Sequence, residues 1–264
     1  MLLEKIRKKE TVVVGLGLSG LATSGFLLEL GAGKVVVNDR RSLCDLEQEM
    51  ALLKDDPRIS VVSGGHPISL INEKTGLIVK SPGVNPHLEI FEKAHDARIP
   101  IISEIELAYH FTRVPIIGIT GTNGKTTTTM LVSEIFRRAR FGKIFTAGNI
   151  GNPLVDAVRE AGAAPGNMIV AELSSFQLDN IIDFRPRIAV ILNIAEDHLD
   201  YHLTRENYAD AKKKILANQT ESDIAILNAD DPLVLSFRNR TEASLLFFSR
   251  KKMVEGFCVR EGII

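Results

Sequence analysis

The chain has 264 residues, enough for one large or two ordinary domains, and 45% of them are hydrophobic, ample for packed cores. Lys and Arg total 32 against 33 for Asp and Glu, so no global field favours nucleic acid or an anionic membrane, and small molecules are the expected partners. Cys44 and Cys258 lack metal-ligand or redox spacing, which points to a reducing cytoplasm rather than a disulfide scaffold and leaves packing as their default role.

The first ten residues are heavily charged, and the apolar region after them is interrupted by Gly15, Gly17, Gly20, Gly25, Glu29, Gly31, Gly33 and Lys34. Neither a signal peptide nor a membrane span is expected there. β and α patterns then alternate along the chain, the signature of an α/β protein with mainly parallel sheets. The spacing predicts a strand over 11–14, a helix over 18–30, a strand over 34–37, a helix over 46–54, and strands over 59–62, 77–79 and 101–103. A Rossmann-like domain over residues 1–103 closes there. Residues 104–111 read as a connecting helix, and a second α/β domain of P-loop type, over 104–264, carries strands at 115–120, 168–171, 188–192, 222–228 and 245–249.

The first domain carries Gly15-Leu16-Gly17-Leu18-Ser19-Gly20 between its first strand and helix, and Asp39 ends its second strand. In dinucleotide-binding folds such glycines let backbone approach a pyrophosphate, and such an acid bonds a ribose. The same glycines also serve a tight turn and close helix–strand packing without any ligand. Arg40 and Arg41 could meet phosphate or uracil, or simply lie in a solvated turn. Ser81-Pro82-Gly83 ends a strand on the same sheet edge, where a ligand of an open parallel sheet lies, although alone it is only a turn.

The second domain opens with Gly118-Ile119-Thr120-Gly121-Thr122-Asn123-Gly124-Lys125-Thr126-Thr127-Thr128-Thr129, which follows an apolar strand and enters a helix with Met130, Leu131, Ile135 and Phe136 at amphipathic spacing. The strict P-loop pattern fails, because Ile119 stands where it asks for Gly. What remains is a phosphate cradle: small residues turn N–H groups inward, Lys125 adds a point charge, Thr126 offers a hydroxyl to Mg²⁺, and the helix N-terminus attracts anions. A nucleoside triphosphate is the expected ligand.

Two further strands end in groups suited to the same site. One ends at Glu172, followed by Leu173-Ser174-Ser175-Phe176-Gln177; the next ends at Asn193 and then Glu196-Asp197-His198. Neighbouring parallel strands bring their carboxyl ends to one edge, so Glu172 and His198 can meet Mg²⁺ and phosphate oxygens there. Asn149, in Gly148-Asn149-Ile150-Gly151 after another short strand, could bond a substrate or only shape a left-handed turn. In the helix after His198, Thr204 is a plausible N-cap, with Glu206 in the first turn and Tyr208, Ala211, Ile215 and Leu216 on the buried face. Lys213 and Lys214 look solvated, and composition alone would treat Lys212 the same way.

Gly-Thr-Asn-Gly-Lys-Thr-Thr, Gly-Asn-Ile-Gly, Glu-Leu-Ser-Ser-Phe-Gln-Leu, Leu-Asn-Ile-Ala-Glu-Asp-His-Leu-Asp and Tyr-Ala-Asp-Ala-Lys, in this order, strongly resemble the Mur ligases of peptidoglycan synthesis. Glu172 to Leu178, and the glycine start joined to Ser81-Pro82-Gly83, resemble the branch that adds D-glutamate. The resemblance implies that ATP phosphorylates the carboxylate of UDP-N-acetylmuramoyl-L-alanine to an acyl phosphate, which the amine of D-glutamate then attacks. It implies catalytic roles for Lys125, Glu172, His198 and Lys212. Gly121, Thr122, Asn123, Gly124, Lys125, Thr126 and Thr127 would bind ATP. It implies two Mg²⁺ sites, one on Thr126 and Glu172, the other on His198 and a carbamylated Lys212. Leu18, Ser19, Asp39, Arg41, Ser81, Pro82, Gly83, Asn149, Ser174 and His198 would contact the UDP-linked substrate.

Family members carry a third domain with the amino-acid site, so this polypeptide alone is expected to bind the UDP substrate without completing ligation, as a cytoplasmic monomer with no nucleic-acid or membrane partner. A UDP-sugar-binding regulatory module is the main alternative. A dehydrogenase would explain Gly15 to Gly20 and Asp39 but not Lys125 or Glu172, and a folate polyglutamate ligase would not begin with this glycine fingerprint.

Overall fold

The computed structural model describes residues 2–53, 55–140 and 142–259. The chain divides into two compact units, one reaching His110 and including Asn180–Ile182, the other formed by Phe111–Asp179 and the residues from Asp183 onward. The helix expected as a connector, Glu104–Tyr109, therefore groups with the first unit.

In the first unit, helix α1 (Leu2–Lys8) precedes strand β1 (Glu10–Val14), α2 (Leu18–Glu29), β2 (Lys34–Asn38), α3 (Glu47–Leu52), β3 (Ile59–Val62), β4 (Thr75–Lys80), α4 (Glu89–Asp96), β5 (Ile101–Ser103) and α5 (Glu104–Tyr109). The strands form one parallel sheet in the order β3-β2-β1-β4-β5, with Val12 opposite both Val36 and Ile78. Val12, Val13 and Val14 are all buried, because a parallel sheet covered on both faces takes continuous β-branched runs rather than alternation. Ile90, Phe91 and Ala94 bring α4 onto the cluster of Val12, Val14, Val36 and Ile78.

Sequence periodicity did not reveal α1. It buries Ile6 and passes so close to the sheet that a Cβ at Gly33 would lie 2.6 Å from Arg7 O. The helix expected over 46–54 is a 3-10 turn at Cys44–Leu46 followed by the six-residue α3, which buries nothing; Lys54 lies outside the described residues. Cys44 is exposed, so the packing role expected of it is not the one it has.

The second unit contains β6 (Ile116–Thr120), α6 (Lys125–Arg138), β7 (Ile144–Gly148), α7 (Leu154–Ala161), β8 (Met168–Glu172), α8 (Ser175–Asp179), β9 (Ile188–Ile191), α9 (Leu199–His202), α10 (Arg205–Lys213), β10 (Ile224–Asn228), α11 (Pro232–Ser236), β11 (Ser244–Ser249) and β12 (Gly256–Cys258). All seven strands pair in parallel, in the order β12-β11-β10-β9-β6-β8-β7. The sheet reverses its winding around β6, so the loop after β6 lies at a topological switch point, between the ends of β8 and β9. The apolar face expected on α6 needs correction: Met130, Leu131 and Ile135 are 50%, 59% and 56% exposed. Of the expected set Phe136 does pack on Ile117, Ile119 and Val170, joined by Val132, while Thr129 and Ser133 are buried. No helix among the described residues is long and apolar enough to cross a membrane.

Candidate functional site

Two arrangements, one in each unit, collect the candidate residues. In the first unit a cleft of about 610 Å³, within the range of small-molecule sites, is lined by the ends of β1, β2 and β4: Gly15, Gly17, Leu18, Ser19, Asp39, Arg40, Arg41, His66, Ser81, Pro82, Gly83, Val84, Asn85 and Leu88. Ser81 Oγ donates to Gly15 O at 2.8 Å, and this tie holds the β1 and β4 turns together at the switch point. A Cβ at Gly20 would meet Gly15 O at 2.0 Å, whereas one at Gly17 would meet nothing within 4 Å. The first glycine is needed for packing; the second leaves open space beside the cleft.

Asp39 is turned toward protein. Its Oδ2 accepts from Leu16 N at 2.8 Å, and its Oδ1 accepts from Arg41 N at 2.9 Å and Arg41 Nε at 3.2 Å. Burial pushes this carboxyl up, but the hydrogen bonds from Arg41 and Leu16 outweigh burial and hold it below the usual value. Arg41 lines the cleft and is 38% exposed, yet each of its side-chain nitrogens has a protein partner, with one terminal nitrogen on Glu49 Oε1 at 2.7 Å and the other on Leu16 O at 2.9 Å. The pair thus shapes the glycine turn. The neighbouring Arg40 is exposed and lines the cleft.

His66, which sequence reasoning missed, lines the same cleft, and Asn38, fully buried behind it, has its Oδ1 2.6 Å from His66 Nδ1. Burial lowers the His66 pKa, Asp39 partly opposes that, and Arg40 adds to it. His66 follows Gly64 and Gly65 in a stretch with no motif spacing to mark it.

In the second unit, Gly121 and Gly124 have φ of 152° and 82°, which turns the loop into the N-terminus of α6. Asn193, at the end of β9, clamps this loop. Its backbone O accepts from Thr122 N, its Oδ1 accepts from Asn123 N, and its Nδ2 donates to Asn123 O, each at 2.9 Å. Lys125 Nζ donates to Thr122 O at 2.8 Å. The first helical bond of α6 is Thr128 N to Gly124 O, so the N–H groups of Gly124, Lys125, Thr126 and Thr127 are the ones open to an anion.

Glu172, buried at the end of β8, gathers two candidates. Thr126 Oγ1 donates to its Oε2 and Asn149 Nδ2 to its Oε1, both at 2.8 Å. Hydroxyl and carboxylate oxygens are the hard donors that Mg²⁺ takes, so this pair fits such an ion. The β7 turn reaches Glu172 because Gly148, with φ of 102°, lets Asn149 N donate to Glu172 O at 2.9 Å.

Lys212 is buried at 1% exposure, against the composition-based expectation, and donates to Gly121 O at 2.9 Å while lying 4.7 Å from the Tyr208 ring centre. Burial, with the Lys125 charge adding to it and Asp197 and Glu172 opposing, lowers its pKa to about 7. Tyr208 OH meets Thr122 Oγ1 at 3.1 Å, so one ring links the lysine to the phosphate loop.

His198 has a left-handed backbone (φ 51°), sits 4.7 Å from the Phe176 ring, and pairs with Asp197 at 3.4 Å. Behind it, His202 is buried, bonds Ser175 Oγ at 2.9 Å and stacks parallel to Phe176. Ser174, by contrast, turns into its own helix: its N and Oγ both donate to Gln177 Oε1 at 3.0 Å. Thr127 lies exposed on the first turn of α6. Asn193 and Tyr208 were visible in the sequence only as a strand end and a core position.

Comparisons with known proteins bear on the family and the fold. Residues 119–259 match the Mur ligase middle domain, and residues 9–103 match the Mur ligase MurD-like N-terminal domain. The chain is 44% identical to a UDP-N-acetylmuramoylalanine--D-glutamate ligase of Caldanaerobacter subterraneus over 98% of its own length and 57% of that protein. It is 46% identical to the like-named protein of Geobacillus kaustophilus over 97% of its length and 56% of that protein. It thus spans a little over half the length of these curated relatives. Among solved structures, the fold resembles the UDP-N-acetylmuramate:L-alanyl-gamma-D-glutamyl-meso-diaminopimelate ligase of Neisseria meningitides, with a TM-score of 0.55 and 18% identity over 91% of this chain and 78% of that one. With matches to both domain families in chain order, this chain belongs to the Mur ligase family.

Proposed function

We propose that the chain carries the UDP-substrate and ATP sites of a ligase that joins D-glutamate to UDP-N-acetylmuramoyl-L-alanine, releasing ADP and phosphate. Residues 1–103 would hold the UDP-linked substrate in the cleft at Gly15, Ser81 and His66, and residues 104–264 would hold ATP. The observation that carries this reading is the meeting of Thr126 and Asn149 on one buried carboxylate, Glu172, at the switch point of the second sheet.

The chemistry is mainly a charge problem. The substrate carboxylate oxygen bonds to the γ-phosphorus, the bond to ADP breaks, and the D-glutamate amine then attacks the acyl carbon and expels phosphate. Lys125 would leave Thr122 O for the β- and γ-phosphates, and the open N–H groups from Gly124 to Thr127 would face the same oxygens. Bound Mg²⁺ supplies charge neutralisation at those oxygens; Thr126 and Glu172 would hold one ion, His198 and a carbamylated Lys212 a second. A buried amine with its pKa lowered to about 7 has a far larger uncharged fraction at neutral pH than an exposed lysine, and the uncharged amine is the form that carbamylation requires. A reaction of ATP with a UDP-linked precursor fits the cytoplasm, the compartment proposed for this protein.

The test is phosphate release by the protein that bears this chain, measured with ATP, Mg²⁺, UDP-N-acetylmuramoyl-L-alanine and D-glutamate together and with each omitted. Release is expected only with all four. Turnover indifferent to the UDP substrate would overturn the reading.

A further inference from the structure

The cleft of the first unit contains one side chain whose hydrogen-bonding sense is set by its neighbours. Asn38 Nδ2 donates to two backbone oxygens, Val62 O at 2.9 Å and Gly65 O at 2.8 Å. Two acceptors on one side of an amide fix the NH₂ there, so Oδ1 is the atom that faces His66 Nδ1 at 2.6 Å. An acceptor at that distance requires the proton on Nδ1. In the neutral ring the opposite nitrogen, Nε2, is then a bare lone pair, and it has no partner among the described residues.

The ring lines the cleft together with Arg40, and burial and the Arg40 charge both favour its neutral form, with Asp39 opposing. The acid expected to contact a ligand, Asp39, already accepts from Leu16 and Arg41, and Arg41 already donates to Asp39, Glu49 and Leu16. At this end of the cleft that leaves an acceptor on His66 and a donor on Arg40.

We propose that His66 reads the base of the bound nucleotide, its Nε2 accepting the imide N3–H that uracil carries and that cytosine lacks. Arg40 complements it by donating to a uracil carbonyl oxygen. The inference rests on the UDP-substrate reading of the cleft and names the residue that selects the base. A site built around a fixed acceptor rejects analogues without the matching donor far more strongly than an apolar pocket can, because the acceptor is left buried and unpaired.

Calorimetric titration of the chain with UDP, CDP and N3-methyl-UDP tests this. The parent is expected to bind UDP at least ~10-fold more tightly than either analogue, a gap typical of one lost buried hydrogen bond, and His66→Ala to shrink both gaps below about threefold. Selectivity unchanged in His66→Ala, or equal binding of the three ligands by the parent, overturns the role of His66 while leaving the cleft a nucleotide site. Failure of the parent to bind UDP at all overturns the cleft reading and the inference with it. A measurement on the parent alone guards against a misfolded variant: nitrogen chemical shifts of His66 should show Nδ1 protonated and Nε2 bare, and the reverse tautomer rules the inference out.

Discussion

Thr126 Oγ1 and Glu172 Oε2, 2.8 Å apart, join the first turn of α6 to the end of β8, residues 46 positions apart in sequence. Glu172→Gln keeps the shape and removes the charge. If the carboxylate holds a cation against the triphosphate, ATP-dependent phosphate release by the protein bearing this chain falls about 10³-fold, roughly 4 kcal/mol of transition-state stabilisation. Thermal stability should change little. A variant within threefold of the parent would remove Glu172 from the chemistry.

In its unmodified form, with Mg²⁺ and bicarbonate withheld, Lys212 gives a pH prediction. Its folded-state pKa of about 7 lies below the ordinary lysine value of 10.5, so between those pH values the unfolded chain binds the extra proton. Stability contributed by this site therefore rises with pH across that window and is lowest below about 7. Lys212→Met removes the desolvated ammonium, and its midpoint temperature should exceed the parent's at pH 6.5 and converge toward it by pH 10. Parallel melting curves across that range would sink the assignment.

Asp39 behaves in the opposite sense. Its pKa is held low by Arg41 and Leu16, so its contribution is present above the unfolded carboxyl value and is lost as pH falls through the depressed one. Asp39→Asn leaves Arg41 half-paired and loosens the glycine turn. UDP affinity measured by calorimetry is expected to drop ~10-fold, a typical effect of one charge-assisted contact. Unchanged affinity would confine Asp39 to folding.

Two glycines of one fingerprint should part company. Gly20→Ala drives a methyl to 2.0 Å from Gly15 O and is expected to cost about 3 kcal/mol of stability. Gly17→Ala meets nothing within 4 Å in the chain and should leave unfolding in urea unchanged, while weakening UDP binding where the ligand passes closest. Equal losses of stability would refute the division.

The alternation of β-branched runs and glycine turns made the two parallel sheets legible, because a doubly covered strand needs an apolar residue at every position, as Val12 to Val14 show. Thr204 was legible as a cap: its side chain accepts from Asn207 N. What stayed hidden depends on contacts distant in sequence. Met130, Leu131 and Ile135 have helical spacing, yet the sheet takes the Val132–Phe136 side of α6. By composition Lys212 reads as one of three adjacent lysines, and only the resemblance of Tyr-Ala-Asp-Ala-Lys set it apart; the physical reason lies in the fold, which turns it toward Gly121 while Lys214 reaches Asp179. Asn193 and Tyr208 were legible only as a strand end and a buried position, and His66 not at all, since each acts through hydrogen bonds to residues distant in sequence.

The clamp of Asn193 on Thr122 and Asn123 has a kinetic meaning. Three ties hold the phosphate loop in the free chain, so its ordering entropy is lost when the protein folds, well before ATP arrives. Nucleotide capture is then a single-step encounter whose observed rate climbs linearly with ATP concentration, without the plateau that a slow loop rearrangement imposes.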